Sequence, residues 1–504
     1  MIQKRQVLFN AIMSMVQVVV IGGVLFILYR FLLKTIGVKQ LGIWSLVLAT
    51  TSVTQIANLG LSGGVVKFVA KYVARDEHKN VSAVIQTASL SVAAFIGVVL
   101  LVGYPVIKWM LGLVVVPESL PLALSILPFA LFSLWLLAIT SIFQSGLDGY
   151  QRIDLRSMLL MAGVIIHLCF CFMLAPTYGL MGVAYSSIIQ NFSVLMISWV
   201  FLKRQSPFLP LLPYQWDKSF FKEIVNYGIN FQLISISTMF YDPITKALLS
   251  KFGGLAMVGF YEMANRMVQQ FRALIVSANQ VLVPAIANLQ EKNSEKIKEV
   301  YLTCYHLIFY LAVPLFSLII VSTPLISELW IGHYESVFVI FGIFLSIGWL
   351  LNTVAAPAFF AYLGIGELRW NVTSHITIAL LNAFLGFLLG VFYDGFGVVI
   401  GWIISLAVGS SLIYLSYHIK RQIPLRELLP KTSRMLFIIC LIGIASALIM
   451  RYKLSHLLNS IILNNLIVFS FLIIIISPLW FHPMRTRLMG WVSNELLKKS
   501  ESAR

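Results

Sequence analysis

The chain has 504 residues, 59% of them hydrophobic and only 11% charged, with a mean hydropathy of +0.91. A soluble chain carries about 25% charged residues, so this composition excludes a soluble enzyme or binding module. The formal net charge of +17 raises nucleic acid as a partner, but no basic-aromatic nucleic-acid motif stands out.

A membrane helix needs about 20 mostly apolar residues. Fourteen such runs follow one another, over 7–33, 41–66, 81–107, 121–145, 157–175, 180–202, 224–250, 255–285, 299–322, 336–362, 372–392, 396–418, 433–450 and 460–480. The runs are continuous rather than alternating, which predicts helices and not a barrel. The first run is too long for a secretory signal core and is expected to stay as helix 1. With an even number of spans both termini share one side. On it fall most of the Lys and Arg residues, among them Lys4, Arg5, Lys67, Lys71, Arg75, Lys203, Arg204, Lys292, Arg421, Arg434 and the five after residue 484. Lys34, Lys39, Lys108, Lys251, Arg451 and Lys453 mark the opposite loops. This bias predicts cytoplasmic termini, and anionic lipid accounts for part of the charge. Cys169, Cys171, Cys304 and Cys440 lie in or beside apolar spans without a CxxC spacing; they read as buried inert thiols.

One pattern occurs twice, 217 residues apart. Lys34-Thr35-Ile36-Gly37 before Leu41-Gly42-Ile43-Trp44 matches Lys251-Phe252-Gly253-Gly254 before Val258-Gly259-Phe260-Tyr261. The same offset carries Phe143 onto Phe360, Gly149 onto Gly366 and Arg152 onto Arg369. The unit holds six helices, an even number, so the copies enter from one side. That predicts two lobes related by an axis along the membrane normal. The expected organisation is an N-lobe over 1–202 (helices 1–6), a proline-rich cytoplasmic linker over 203–222, a C-lobe over 223–420 (helices 7–12), and two extra helices with a cytoplasmic tail over 421–504. The fold class is therefore an all-α polytopic membrane protein with 14 transmembrane helices.

Several motifs fall in order along this frame. Leu41-Gly42-Ile43-Trp44-Ser45-Leu46 opens span 2, and Asn58-Leu59-Gly60-Leu61-Ser62-Gly63-Gly64 lies near its end. Tyr178-Gly179-Leu180-Met181-Gly182 opens span 6. Val258 to Arg266 opens span 8, and Pro284-Ala285-Ile286-Ala287-Asn288-Leu289 closes it. Together they resemble the polysaccharide exporters of the multidrug/oligosaccharidyl-lipid/polysaccharide (MOP) superfamily, with the bacterial O-antigen-type flippases as the closest branch. The resemblance implies a V-shaped pair of lobes whose helices 1, 2, 7 and 8 line a central cavity. It implies an undecaprenyl-diphosphate-linked oligosaccharide, a lipopolysaccharide or polysaccharide repeat unit, as cargo, moved from the inner to the outer leaflet of the bacterial inner membrane by alternating access. A polysaccharide polymerase and a chain-length regulator are the implied partners, with membrane lipids and no nucleic acid.

Ionisable residues inside spans are costly and are functional candidates by default. They gather in the same four spans. Arg30 lies in span 1, Asp242 and Lys246 in span 7, and Glu262, Arg266 and Arg272 in span 8. Asp242 with Lys246, and Glu262 with Arg266, are four residues apart and can pair on one helix face. Asn58, Asn265 and Gln269 add polarity that hydrocarbon does not tolerate. The expected cationic site is Arg266 and Arg272, then Arg30 and Lys246, because guanidinium offers a planar fork of donors to phosphate. Asp242 and Glu262 are candidates for coupling to a proton or cation gradient. Structural readings stand beside these: Arg30 snorkelling to the interface, and Asp242–Lys246 and Glu262–Arg266 as internal ion pairs. No Walker motif occurs, and no catalytic residue, metal site or cofactor is expected. A lipid II flippase and a multidrug or cation antiporter remain alternatives. A membrane glycosyltransferase or polymerase would need a large extracytoplasmic loop or an exposed acidic motif, and the sequence has neither.

Overall fold

The computed structural model describes residues 4–52, 56–225, 238–276, 295–454, 460–487 and 489–490, with 282, 283, 286, 289 and 290 between them. Among these residues there are helices and no strand. In chain order they are α1 Lys4–Thr35, α2 Gly37–Ser52, α3 Ile56–Ala74, α4 His78–Val114, α5 Leu120–Gly149, α6 Ile153–Tyr178 and α7 Leu180–Gln205. They continue with α8 Tyr241–Val276, α9 Lys296–Trp330, α10 Ser336–Ile365, α11 Arg369–Lys420, the short α12 Leu425–Leu428, α13 Lys431–Leu454 and α14 Ser460–Trp480. Ten of the described helices are long and apolar enough to cross a membrane, which makes the chain a multi-pass membrane protein.

Most helices overrun the apolar stretches that announce them. The run over 81–107 becomes α4, and that over 299–322 becomes α9, each extended at both ends. Hydropathy sees only the part that needs hydrocarbon, whereas the backbone continues its hydrogen-bond ladder into the interfacial zone. The connections are correspondingly tight. α1 and α2 meet at Gly37 (φ 78°), and α8 turns sharply at Gly254 (φ 79°). Positive φ is cheap only for glycine. These two glycines are 217 residues apart, so the repeat places the same backbone device at both joints.

A second device recurs with an offset of 215 (Gly182 to Gly397). Gly179 (φ 55°, ψ −132°) separates α6 from α7, and Asp394 (φ 51°, ψ −144°) breaks α11 at the matching point. A β-carbon on Gly182 would sit 2.3 Å from the carbonyl oxygen of Leu174; on Gly397 it would sit 1.9 Å from that of Leu389. The two copies thus differ by two residues beyond the spans that set the first offset.

The chain divides into two compact units: residues 1–262 with 379–401, and 263–378 with 402–504. In the first, Gln86 on α4 accepts from the backbone N–H of Tyr214 and Gln215 at 3.1 and 3.2 Å, and Thr87 from that of Asp217 at 3.1 Å. The proline-rich segment after α7 is therefore held along α4 by its own backbone. Asp217 then caps helical turns over 218–225 through Ser219 N and Phe220 N, the usual role of a short acceptor side chain at an N-terminus. In the second unit, Tyr301, Tyr305, Tyr362, Tyr417 and Phe471 form a buried aromatic core. Its polar tips are paired, Tyr301 Oη with His418 Nε2 at 2.6 Å and Tyr305 Oη with Tyr414 Oη at 3.1 Å, as buried polar atoms require.

Candidate functional site

In the first unit, α2 and the first part of α8 cross through small residues. A β-carbon on Gly42 would lie 1.9 Å from the carbonyl oxygen of Leu255, and one on Gly259 would lie 2.5 Å from that of Val38. Val38 and Leu255 are themselves 217 apart, as are Gly42 and Gly259. The contact is reciprocal, with each copy's glycine seated on the other's backbone.

Beside this crossing lies a buried polar cluster. Glu262 accepts from Tyr29 Oη at 2.9 Å on one carboxylate oxygen and from Ser45 Oγ at 2.9 Å on the other. Lys246 Nζ lies 2.7 Å from Glu262 Oε2 and 3.5 Å from Asp242 Oδ2. Tyr29, Ser45, Lys246 and Glu262 are all under 9% exposed, whereas the Asp242 side chain is half-exposed. The repeat relates these residues in pairs: Ser45 to Glu262, and Tyr29 to Lys246. One copy supplies hydroxyls where the other supplies charges. Thr245 and Asn382 exchange hydrogen bonds at 3.0 and 3.2 Å, and Asn382 also donates to Tyr241 O, which fixes the helix carrying Lys246.

The second unit holds a different arrangement. Arg272 donates from Nη2 to Asn352 Oδ1 at 2.7 Å, and its guanidinium carbon stands 4.6 Å over the Trp349 ring. Asn352 passes the bond on to Ser410 Oγ at 2.9 Å. Trp349 Nε1 donates to Asn265 Oδ1 at 3.3 Å, and Trp349 meets Trp402 edge to face at 6.1 Å. His375 lies within electrostatic reach of Arg272. Arg272 has no carboxylate partner, and its Nε has no acceptor, among the described residues.

The structure therefore brings Asp242, Lys246 and Glu262 together in one unit, and Asn265 and Arg272 in the other. Arg266 is exposed, Gln269 is partly exposed, and Arg30 is exposed without an ion pair among the described residues. Asn58 lies on α3 but its side chain is outside the described residues, as are Gln55 and most of the Pro284–Leu289 motif. Sequence reasoning paired Lys246 with Asp242 and missed its shorter contact to Glu262. It also missed Tyr29, Ser45, Trp349 and Asn352, although applying the 217-residue offset to Lys246 and Glu262 points directly at Tyr29 and Ser45. Glu328 on α9 was missed as well: it is 7% exposed, and neither carboxyl oxygen has a hydrogen-bond partner among the described residues.

Several solved structures share this fold. An inward-facing multidrug resistance MATE family transporter of the MOP superfamily aligns with a TM-score of 0.67 at 15% identity, covering 82% of this chain and 98% of that one. The lipid II flippase MurJ, in an inward closed conformation, aligns at 0.66 and 15% identity over 92% and 98%. A MOP superfamily transporter from Pyrococcus furiosus aligns at 0.62 and 16% over 83% and 96%. The fold is that of a MOP superfamily membrane transporter. Within it, residues 8–338 match the model of the polysaccharide biosynthesis protein family, and the chain belongs to that family. No curated protein sequence matches it.

Proposed function

We propose that this protein is a flippase that carries an undecaprenyl-diphosphate-linked oligosaccharide, an O-antigen or polysaccharide repeat unit, from the inner to the outer leaflet of a bacterial cytoplasmic membrane. Family membership and the MOP fold support a transporter acting in polysaccharide biosynthesis. The observation that carries the reading to a phosphorylated, sugar-bearing cargo is Arg272: a guanidinium without a carboxylate partner among the described residues, bonded to Asn352 and set over the indole of Trp349, which in turn donates to Asn265. Guanidinium suits phosphate oxygens, while indole and amide groups suit the faces and hydroxyls of sugars. The barrier to flipping is the cost of taking a diphosphate and its sugars out of water. A protein cation that replaces that water lowers it, while the isoprenoid tail stays in lipid.

In this reading Arg272 and Arg266 are the first choices for diphosphate contact and Arg30 and Lys246 the second, Lys246 only once Glu262 releases it. The two repeats rock so that the cavity opens to one side at a time, and the termini face the cytoplasm. The cluster of Asp242, Glu262 and Lys246 holds two carboxyl groups against one ammonium. That balance supports coupling to a proton or cation gradient there, because loss of one negative charge loosens the Glu262 contacts to Tyr29 and Ser45. The likeness to a lipid II flippase over 92% of this chain supports a second reading, in which the head group is a peptidoglycan precursor.

The test is translocation of each lipid-linked head group by the reconstituted protein, with Arg272→Ala and Arg266→Ala variants that insert normally. The proposal expects the oligosaccharide-diphosphate lipid to flip and both variants to lose most of that rate. Normal rates in both variants would overturn the cationic site. Transport of lipid II alone would move the protein to the second reading.

A further inference from the structure

The second unit carries a groove that the transport site does not use. It has a volume of about 410 Å³ and lies among α9, α10, α11 and α13, within the size range of ligand clefts. Its walls are apolar, with Phe309, Leu351, Val354 and Phe437 among them, and Ser410, Ser411 and Tyr414 supply hydroxyls along one side. Leu351, Phe437 and Ile438 are 40–53% exposed, so the groove opens sideways.

One end is strongly basic. Arg434, in the first turn of α13, lines the groove there. Arg426 and Lys431 flank the same connection, which also contributes Leu429 to the lining. All three cations are exposed, and none is in an ion pair among the described residues. Glu427, the one acid of the segment, is taken by Lys298 at 2.8 Å. From the end of α11 at Lys420 back to Ser410 is ten residues, about 15 Å of helix. That is about half of a ~30 Å hydrocarbon core.

A laterally open apolar trough, one leaflet deep, with unpaired cations at its interfacial end, fits a lipid of that leaflet. We infer that the groove binds one anionic phospholipid, with its phosphate on Arg434 and Lys431 and one acyl chain lying along the trough toward Ser410. The charge specifies the head group, since zwitterionic lipid offers the same chain without net charge. The depth argues against a polyprenyl chain, which is far longer than one leaflet. Basic pockets between helices on the positive-inside face bind anionic head groups for the same reason. The inner end of the trough is Ser410, whose hydroxyl holds Asn352 and through it Arg272. The seated chain therefore borders the hydrogen-bond chain of the transport site without entering it.

The experiment is native mass spectrometry of the full-length protein in detergent, titrated with phosphatidylglycerol or phosphatidylcholine of identical chains. The inference expects one phosphatidylglycerol per chain held at least tenfold more tightly than phosphatidylcholine. It expects Arg434→Ala to weaken that binding about fivefold, as for one surface cation, and Arg434→Lys to retain most of it. Ser411→Trp, which fills the trough from its exposed side, abolishes the bound lipid while the basic rim is intact. Lys108→Ala, on α4 of the first unit, leaves binding unchanged. Equal binding of the two lipids, or unchanged binding in Arg434→Ala, overturns the inference. So does displacement of phosphatidylglycerol by an equimolar polyprenyl phosphate, which would assign the trough to the carrier lipid.

Discussion

Two sets of ionisable side chains lie in the two compact units, and they solve the problem of a charge inside a membrane protein in opposite ways. Around Lys246 the ammonium is fully engaged by carboxylates. It meets two of them, and Glu262 fills its remaining acceptor sites with Tyr29 and Ser45. Around Arg272 there are amides, an indole and a hydroxyl, but no carboxylate among the described residues. An anion approaching Lys246 must first displace Glu262; an anion approaching Arg272 displaces nothing of like charge. The first arrangement joins three helices through one ion-pair cluster, and the second is the one we propose for an anionic ligand. Burial and positive charge alone do not distinguish the two; the partner does.

The sharpest way to break this contrast is to remove each cation. Arg272→Ala should lower translocation of the lipid-linked cargo at least tenfold while leaving thermal unfolding nearly unchanged. Arg272→Lys should recover part of the rate, because a point charge lacks the guanidinium fork. Lys246→Ala should do the reverse to stability. It strands Glu262 in a buried site, a loss of about 3–5 kcal/mol by the behaviour of broken buried pairs, readable in denaturation of the purified protein. Lys246→Met combined with Glu262→Gln should recover most of that loss, since well-packed neutral groups often match a buried pair. If the double variant is as unstable as the single, the cluster is held by something other than charge balance.

A smaller effect tests the reciprocal crossing beside the first cluster. Gly42→Ala and Gly259→Ala each place a methyl group against backbone oxygen and should cost about 1–3 kcal/mol, as overpacking does. The double variant should cost less than the sum, because both strain the same helix contact. Smallest is Asp394→Gly. Asp394 occupies a backbone region that Gly179 fills in the other copy. Relieving it should stabilise by about 1 kcal/mol, the low end for a strained residue; a loss of stability would show that the Asp394 side chain is needed there.

How far the sequence reached can be judged from the same residues. The 217-residue offset was legible from Lys34–Trp44 and Lys251–Tyr261, and the structure gives it physical form in Gly37 and Gly254 and in the exchange between Gly42 and Gly259. The shift to 215 was missed, although Tyr178, Gly182 and Val183 match Tyr393, Gly397 and Val398 at that offset; Gly179 and Asp394, which carry the turn itself, are different residue types. Ionisable residues announced Lys246, Glu262 and Arg272 because charge in an apolar run is conspicuous. Tyr29, Ser45 and Trp349 were not announced, because a tyrosine, serine or tryptophan in such a run is ordinary until a partner far along the chain gives it a role. The predicted pairing of Lys246 with Asp242 is present at 3.5 Å, and only its shorter contact to Glu262 was not foreseen. An i,i+4 rule sees Asp242 on the same helix face, whereas Glu262 reaches Lys246 only after the sharp turn at Gly254.

The most direct test of the central claim, that Arg272 and not Lys246 is the cation available to an anionic head group, is binding of a polyprenyl diphosphate to three purified proteins. These are the unmodified chain, Arg272→Ala, and Lys246→Met with Glu262→Gln. The account predicts that Arg272→Ala loses affinity at least tenfold while the double variant binds within about threefold of the unmodified chain. Undiminished binding by Arg272→Ala, with binding lost in the double variant, would contradict it.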